Sequence, residues 1–289
     1  MMASRRSNHA VGVGLKLAPM HCTIEELRGV WRVADQAGFD HVWVFDHFNP
    51  IAGEVSGVAW EGWMLLAAMA EATERVRIGV LVTGNTYRHP AVLAKMAVTV
   101  DHLSGGRLEF GIGAGWAEAE HRMLGLELPP AAERIRRLGE ACELIKTLWT
   151  EERAVHKGAA YRLEDAVQNP KPLQKPHPPI WIGGAGEQRT LRVVAEHADV
   201  WNLAGSDLAD AVRKSKILDG HCQQVGRDPA AVRRSVQLRV ETQQLDRSIT
   251  QAGAFVRAGF TELVLAVTPP NPVAKAEMVA REMLPRLRD

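Results

Sequence analysis

Short apolar runs alternate with longer stretches of helical period along nearly all of the chain. The runs lie at 11–16, 41–45, 76–82, 107–112, 180–182, 199–202, 236–240 and 262–267. Amphipathic stretches fall near 23–37, 60–74, 90–103, 131–149, 187–197, 207–225, 247–258 and 273–287. Several runs are apolar at successive positions, as in Val42-Trp43-Val44-Phe45 and Leu263-Val264-Leu265-Ala266-Val267. Such strands must bury both faces, which requires a parallel sheet covered by helices. The punctuation agrees. Thr23 and Glu26 have the spacing of a capping box, and Pro90 suits a first helical turn. Gly38 and Gly259 each stand between a helix and a strand, where a left-handed residue ends a helix without steric cost. Eight strands, each followed by a helix, predict an α/β chain folded as a (β/α)8 TIM barrel, with a doubly wound open sheet as the competing arrangement. The reading is a single barrel domain over 11–289 behind a frayed tail at 1–10. Only 151–179 is long and irregular, with five prolines from Pro170 to Pro179. It follows a helix and precedes a strand, so it is expected on the face opposite the active site, as a hairpin through Tyr161-Arg162-Leu163 rather than a lid.

Composition narrows the partners. Over 289 residues, 35 Lys and Arg face 34 Asp and Glu, a net charge of +1, which argues against a nucleic-acid binder held by phosphate electrostatics. No apolar run approaches the roughly 18–20 residues that cross a bilayer; the longest, at 63–70, stops at Glu71. The first ten residues are polar and basic with no apolar stretch behind them, so no signal peptide is expected. Cys22, Cys142 and Cys222 lie far apart without a C-x-x-C, which fits reduced thiols in a cytoplasmic protein. A small-molecule substrate remains the expected partner.

In a barrel, chemistry belongs at the carboxyl ends of strands and on the loops that follow. Asp46-His47 closes the second run. Histidine moves protons near neutrality and a neighbouring carboxylate can orient a cofactor, although such a pair also serves as a solvated loop or a helix cap. The fourth run ends in Gly111-Ile112-Gly113-Ala114-Gly115-Trp116, which is no dinucleotide fingerprint because Trp116 holds the place of the last glycine. A backbone so stripped lets a flat or phosphorylated ligand approach closely, or simply makes a tight turn. Gly183-Gly184-Ala185-Gly186 follows the fifth run and leads to a helix expected to start near Glu187, a geometry open to an anion. No histidine or cysteine spacing suggests a metal, and no G-x-S-x-G elbow suggests hydrolysis. Trp116, Trp60 and Trp63 read either as core aromatics, which helical spacing favours for the latter two, or as walls of a flat-ligand pocket.

At these residues the chain resembles the bacterial-luciferase-like flavin and deazaflavin oxidoreductases. Four ordered segments carry the resemblance: Ala37 to Phe48, Thr83 to Pro90, Leu103 to Trp116 and Pro178 to Gly186. It implies a (β/α)8 barrel with an isoalloxazine-type cofactor across its carboxyl face. Asp-His-Phe after the second strand and Gly-Ile-Gly-Ala-Gly-Trp after the fourth look more like the coenzyme F420-dependent branch than the FMN branch. The resemblance places Asp46 on the ring and His47 beside hydride transfer as proton donor or acceptor. It implies a non-proline cis peptide at Leu81–Val82, with Thr83 next to the cofactor. Gly113, Ala114 and Gly115, with Gly183, Gly184, Ala185 and Gly186, would cradle the phosphate and side chain.

Relatives that oxidise a sugar phosphate have a tryptophan shortly after Asp-His-Phe, an acid after the fourth-strand glycines and a phosphate-binding lysine. This chain has Ile51, Trp116 and Ser206 there, which argues against a sugar phosphate and makes Trp116 and Ile51 walls of a flatter, apolar substrate pocket. The implied activity is F420-dependent hydride transfer to or from an enone, an imine or an alcohol/ketone pair. The alternatives are an FMNH2-dependent monooxygenase supplied by a separate flavin reductase, and a non-catalytic flavin-binding subunit. The resemblance also implies a homodimer.

Overall fold

The computed structural model describes residues 11–205 and 207–288. The expected tail at 1–10 and Ser206 lie outside the described residues. Eight parallel strands form the centre: β1 Gly12–Leu17, β2 His41–Val44, β3 Arg77–Val80, β4 Leu108–Gly113, β5 Ile180–Gly183, β6 Val200–Ala204, β7 Arg233–Arg239 and β8 Glu262–Val267. Each pairs with the next, and β8 returns to β1 through Gly12↔Glu262 to Leu17↔Val267. The β3–β4 seam, Ile78↔Leu108 and Gly79↔Glu109, completes the ring. The sheet is therefore a closed barrel and not the open doubly wound alternative.

Sequence determines which side of each strand meets the helices. Val13, Leu15 and Leu17 of β1 are buried in the outer core with Leu27, Val30, Trp31 and Ala34 of α1 (Ile24–Gln36). The alternate residues point into the ring, where Gly14 leaves room that a Cβ would lose, 1.7 Å from His41 Nδ1. Trp43 and Trp181 fill the interior with ring centroids 4.6 Å apart, packed with Leu81, Val200 and Val264. Toward the amino ends of the strands the interior is polar and paired. Arg77 binds Glu109, whose second oxygen accepts from Trp181 Nε1 at 2.5 Å; Glu262 pairs with Arg233 and, at 3.3 Å, with His41.

The outer layer is α1, α2 (Gly62–Ala72), α3 (Pro90–Leu103), α4 (Glu118–Leu124), α5 (Ala131–Thr150), α6 (Thr190–His197), α7 (Leu208–Gln224), α8 (Leu245–Arg257), α9 (Pro272–Met278) and α10 (Leu284–Arg288). Thr23 and Glu26 form the expected capping box at α1, and Pro90 opens α3. Gly38 and Gly259 both have φ of 92°, the left-handed value that their places require. Arg107, just before β4, donates to the carbonyls of Ala70 and Thr73 and so closes the end of α2.

Four local expectations are corrected. Helix α6 starts at Thr190 rather than near Glu187, because Thr190 packs against Gly184 and Gly186 and the chain makes a turn first. The loop after β4 contains α4. The final amphipathic stretch divides at a π-helical segment, Val279–Met283, between α9 and α10. The 151–179 excursion does form an antiparallel hairpin, Ala154–Lys157 with Arg162–Ala166, but it does not stay on the far face. It climbs beside the 20-residue α5, Glu140 accepts from the Ala160 and Tyr161 amides, and Asn85 in the loop after β3 donates to Tyr161 Oη at 3.2 Å. At its other end Gln174 bonds Asp101, Arg77 and the Leu108 carbonyl, near the amino ends of the strands. No described helix is long and apolar enough to cross a membrane.

Candidate active site

The carboxyl ends of β2, β3, β4 and β5 are neighbours in the ring, so topology alone gathers residues 46–47, 81–83, 113–115 and 183–186. The peptide Leu81–Val82 is cis, and after it the chain rejoins the sheet through Thr83↔Ile112 and Gly84↔Gly113. Val82 turns toward the glycines of the next two strands. A Cβ on Gly113 would lie 2.8 Å from Val82, and one on Gly183 would lie 3.1 Å from it. Glycine at these places lets the backbone of β4 and β5 pack closely against the Val82 side chain. The other loop glycines have tighter duties: a Cβ on Gly115 would meet Thr86 at 2.5 Å, and one on Gly186 would meet Thr190 at 2.7 Å. Gly184 has φ of 140° and its carbonyl accepts from Trp201 Nε1. Each of these glycines thus makes room for a close neighbour, Val82, Thr86 or Thr190. Ala185 and Gly186 border a cavity of about 450 Å³ with Arg189 and Lys214.

Asp46 is buried and heavily bonded. Arg88 grips it with both arms of its guanidinium, Nη1 to Oδ2 at 2.6 Å and Nη2 to Oδ1 at 3.0 Å, and also binds Glu61. Thr83 adds a hydrogen bond to Asp46, and Thr83 Oγ1 itself accepts from Trp63 Nε1 at 2.7 Å. Burial pushes the Asp46 carboxyl up to about 6, and the Arg88 fork limits that rise, so the pair is ionised at neutral pH. The expected core residue Trp63 is therefore core and brace together.

His47 belongs to a second network. Its Nδ1 lies 3.0 Å from Glu120 Oε2 and 3.2 Å from Tyr87 Oη, and Tyr87 donates to the same carboxylate oxygen. Glu120 Oε1 accepts from the Phe48 and Asn49 amides at 2.6 and 2.9 Å. Burial opposes ionisation of Glu120, but the bonds from His47, Tyr87 and Asn49 outweigh it and hold the carboxyl down to about 2. Burial, with that anion beside it, pushes the Tyr87 hydroxyl up. An ionised Glu120 assigns the proton to His47 Nδ1 and leaves Nε2 as the nitrogen available for chemistry. His121 clamps Tyr87, stacked at 5.0 Å, with its own Nδ1 donating to the Ala117 carbonyl and Nε2 accepting from Thr86.

Trp116 stands edge-on to His47, with centroids 5.4 Å apart, and is 62% exposed. It shares an apolar cavity of about 230 Å³ with Ile51, Val55 and Met123, bordered by Glu118 and Glu120. The two residues singled out as substrate walls thus line one space, beside the histidine.

Sequence reasoning missed Glu120, Tyr87, Arg88, Glu61 and His121. Tyr87 and Arg88 lie inside the Thr83 to Pro90 segment that carried the resemblance. Glu120 follows Trp116 by four residues in what read as loop, and nothing local distinguishes a carboxylate that crosses the barrel mouth from one that faces water.

The luciferase-like monooxygenase family model matches residues 7–275. An F420-dependent glucose-6-phosphate dehydrogenase of Amycolatopsis mediterranei (strain U-32) is 40% identical over 167 residues, 57% of this chain and 47% of that protein. An FMNH2-dependent dimethylsulfone monooxygenase of Pseudomonas putida is 28% identical over 210 residues, 70% of this chain and 56% of that one. The chain spans about half the length of the curated relatives it matches. Among solved structures, an F420-dependent secondary alcohol dehydrogenase in complex with an F420-acetone adduct superposes with a TM-score of 0.86 at 19% identity, over 96% of this chain and 99% of that one. At that identity the superposition speaks for the fold.

Proposed function

The chain belongs to the luciferase-like monooxygenase family, and from that premise we propose that it is an oxidoreductase using a deazaflavin of the coenzyme F420 type. The substrate we assign is small and apolar: an enone or imine to be reduced, or an alcohol/ketone pair. The observation that carries this reading is His47, bonded at Nδ1 to Glu120 and edge-on to Trp116 of the apolar cavity, at a strand end neighbouring the cis Leu81–Val82 peptide and the glycines packed on Val82. Named relatives with an F420-dependent activity support the cofactor.

When bound, the cofactor supplies or accepts the hydride, and the chain's residues do the rest. Val82, packed against Gly113 and Gly183, would provide the floor under the ring. Thr83 and Asp46, locked by Trp63 and Arg88, fix the polar rim. Ala114, Gly115, Gly184, Ala185 and Gly186 offer backbone to the side chain and phosphate. His47 Nε2 takes the hydroxyl proton from an alcohol or returns one to a reduced acceptor, while Glu120 holds the ring in the tautomer that permits it. Trp116 and Ile51 keep the substrate side apolar, which suits neither a sugar nor its phosphate. A homodimer and a cytoplasmic location belong to the same proposal.

Titration of the protein with oxidised F420 and with FMN, followed by fluorescence quenching, tests the reading. Saturable F420 binding with FMN binding at least tenfold weaker is expected. Tight FMN binding with oxygen consumption and no deazaflavin turnover would establish the second reading, an FMNH2-dependent monooxygenase fed by a flavin reductase, which the dimethylsulfone monooxygenase relative favours.

A further inference from the structure

Lys16 brings a buried amine that the site described so far does not use. It lies near the end of β1 between Leu15 and Leu17, which face the outer core, and its own side chain enters the ring, 7% exposed. There Nζ donates to Leu81 O at 2.8 Å and to Gln237 Oε1 at 2.8 Å. Both partners are neutral. Buried cations elsewhere are matched: Arg77 with Glu109 and Arg234 with Asp219. Arg107, without a carboxylate, saturates the carbonyls of Ser104, Val76, Ala70 and Thr73. No described carboxylate pairs with Lys16, and burial alone pulls its ammonium down to about 7.

A buried charge without a countercharge is costly to a fold. Its location indicates what could offset the cost. Leu81 immediately precedes Val82, the floor of the glycine cradle, so the ammonium sits one peptide away from the surface proposed to receive the ring. We propose that Lys16 is a positioning residue of the cofactor pocket. Its ammonium, held between Leu81 O and Gln237 Oε1, provides the countercharge for the electron-rich state of the ring and biases the pocket toward the reduced cofactor. This rests on the reading that the chain binds a deazaflavin or flavin. In alcohol oxidation the substrate's C–H bond breaks, and its electron pair and hydrogen nucleus leave together as hydride for the cofactor. The carbon becomes a carbonyl, and the hydroxyl proton goes to His47 Nε2. A bound ring that accepted the hydride would gain negative charge, and the Lys16 ammonium would offset it.

The experiment titrates F420, oxidised and chemically reduced, into anaerobic wild-type and Lys16→Met protein, with heats of binding as the readout. The ratio of the dissociation constant of the oxidised form to that of the reduced form is expected to fall at least tenfold. That equals a drop of about 30 mV in the two-electron potential of the bound cofactor. A ratio unchanged within threefold overturns the inference, including when both affinities weaken equally, as loss of a simple brace for the Leu81 carbonyl would produce. If Lys16→Met does not fold, Gln237→Glu decides by the same criterion, since it sets a carboxylate on the same ammonium. Wild-type protein that binds neither F420 nor FMN overturns the functional reading and this inference with it. Binding with an unchanged ratio overturns the inference alone.

Discussion

The two ends of the barrel interior treat charge differently. At the amino end of the strands, Arg77 meets Glu109 and Arg233 meets Glu262, and Trp181 and His41 complete the bonding. At the carboxyl end, Asp46 is pushed up to about 6, Glu120 is held down to about 2, and Lys16 has no anion. One end resembles a closed account of charges whose removal affects folding. The other holds groups displaced from their ordinary ionisation, a pattern that clusters at functional sites. The same strands thus carry matched charges at one tip and the candidate site at the other, the division expected of a (β/α)8 barrel.

Breaking the amino end should give the largest effect. Glu109→Ala leaves Arg77 buried without its carboxylate, and a loss of about 3–5 kcal/mol is expected in chemical denaturation. Cofactor affinity of the folded fraction should change less than threefold. At the other end, His47→Ala should lower the rate of hydride transfer by roughly 10²–10⁴ while shifting the denaturation midpoint little. An unchanged rate would remove His47 from the mechanism.

Glu120 sharpens the contrast through pH. Its folded pKa lies below the ordinary 4.5, at about 2, so its stabilisation is fully present above 4.5 and is lost as pH falls toward 2. Across that window the wild type should lose about 3 kcal/mol that Glu120→Gln does not lose. Glu120→Gln should also depress the rate at neutral pH, because His47 then lacks the anion that fixes its tautomer. Trp116→Ala should act mildly: KM for an apolar substrate rises about tenfold, the worth of roughly 1.4 kcal/mol of lost contact, with stability nearly unchanged. The smallest effect is expected far from both ends. Thr23→Ala removes the α1 cap and should cost about 1 kcal/mol with no change in kinetics.

The barrel was legible because Val42-Trp43-Val44-Phe45 and its counterparts leave a strand no exposed face, and because Thr23, Pro90, Gly38 and Gly259 mark where helices begin and end. Of the candidate site, only strand-end residues were legible: Asp46, His47, Thr83 and the glycines. Glu120 touches His47 across 73 positions of sequence, and a contact of that reach depends on the ring closing. Lys16 did carry a signal, a lysine between Leu15 and Leu17, but a charged residue ending an apolar run reads equally as the place where a strand reaches water. The late start of α6 was hidden for another reason: Thr190 fills space beside Gly184 and Gly186 that only the folded chain defines.

The outer hairpin has a consequence for anyone reshaping this molecule. Tyr161 at its tip bonds Asn85, three residues beyond Val82, while Gln174 past its base grips Arg77. The excursion is therefore a strut bolted to the barrel near both rims. Trimming it would slacken the Asn85 segment from outside, so a shortened variant could alter turnover with every group around His47 intact, and its length is a dial for tuning the mouth from a distance.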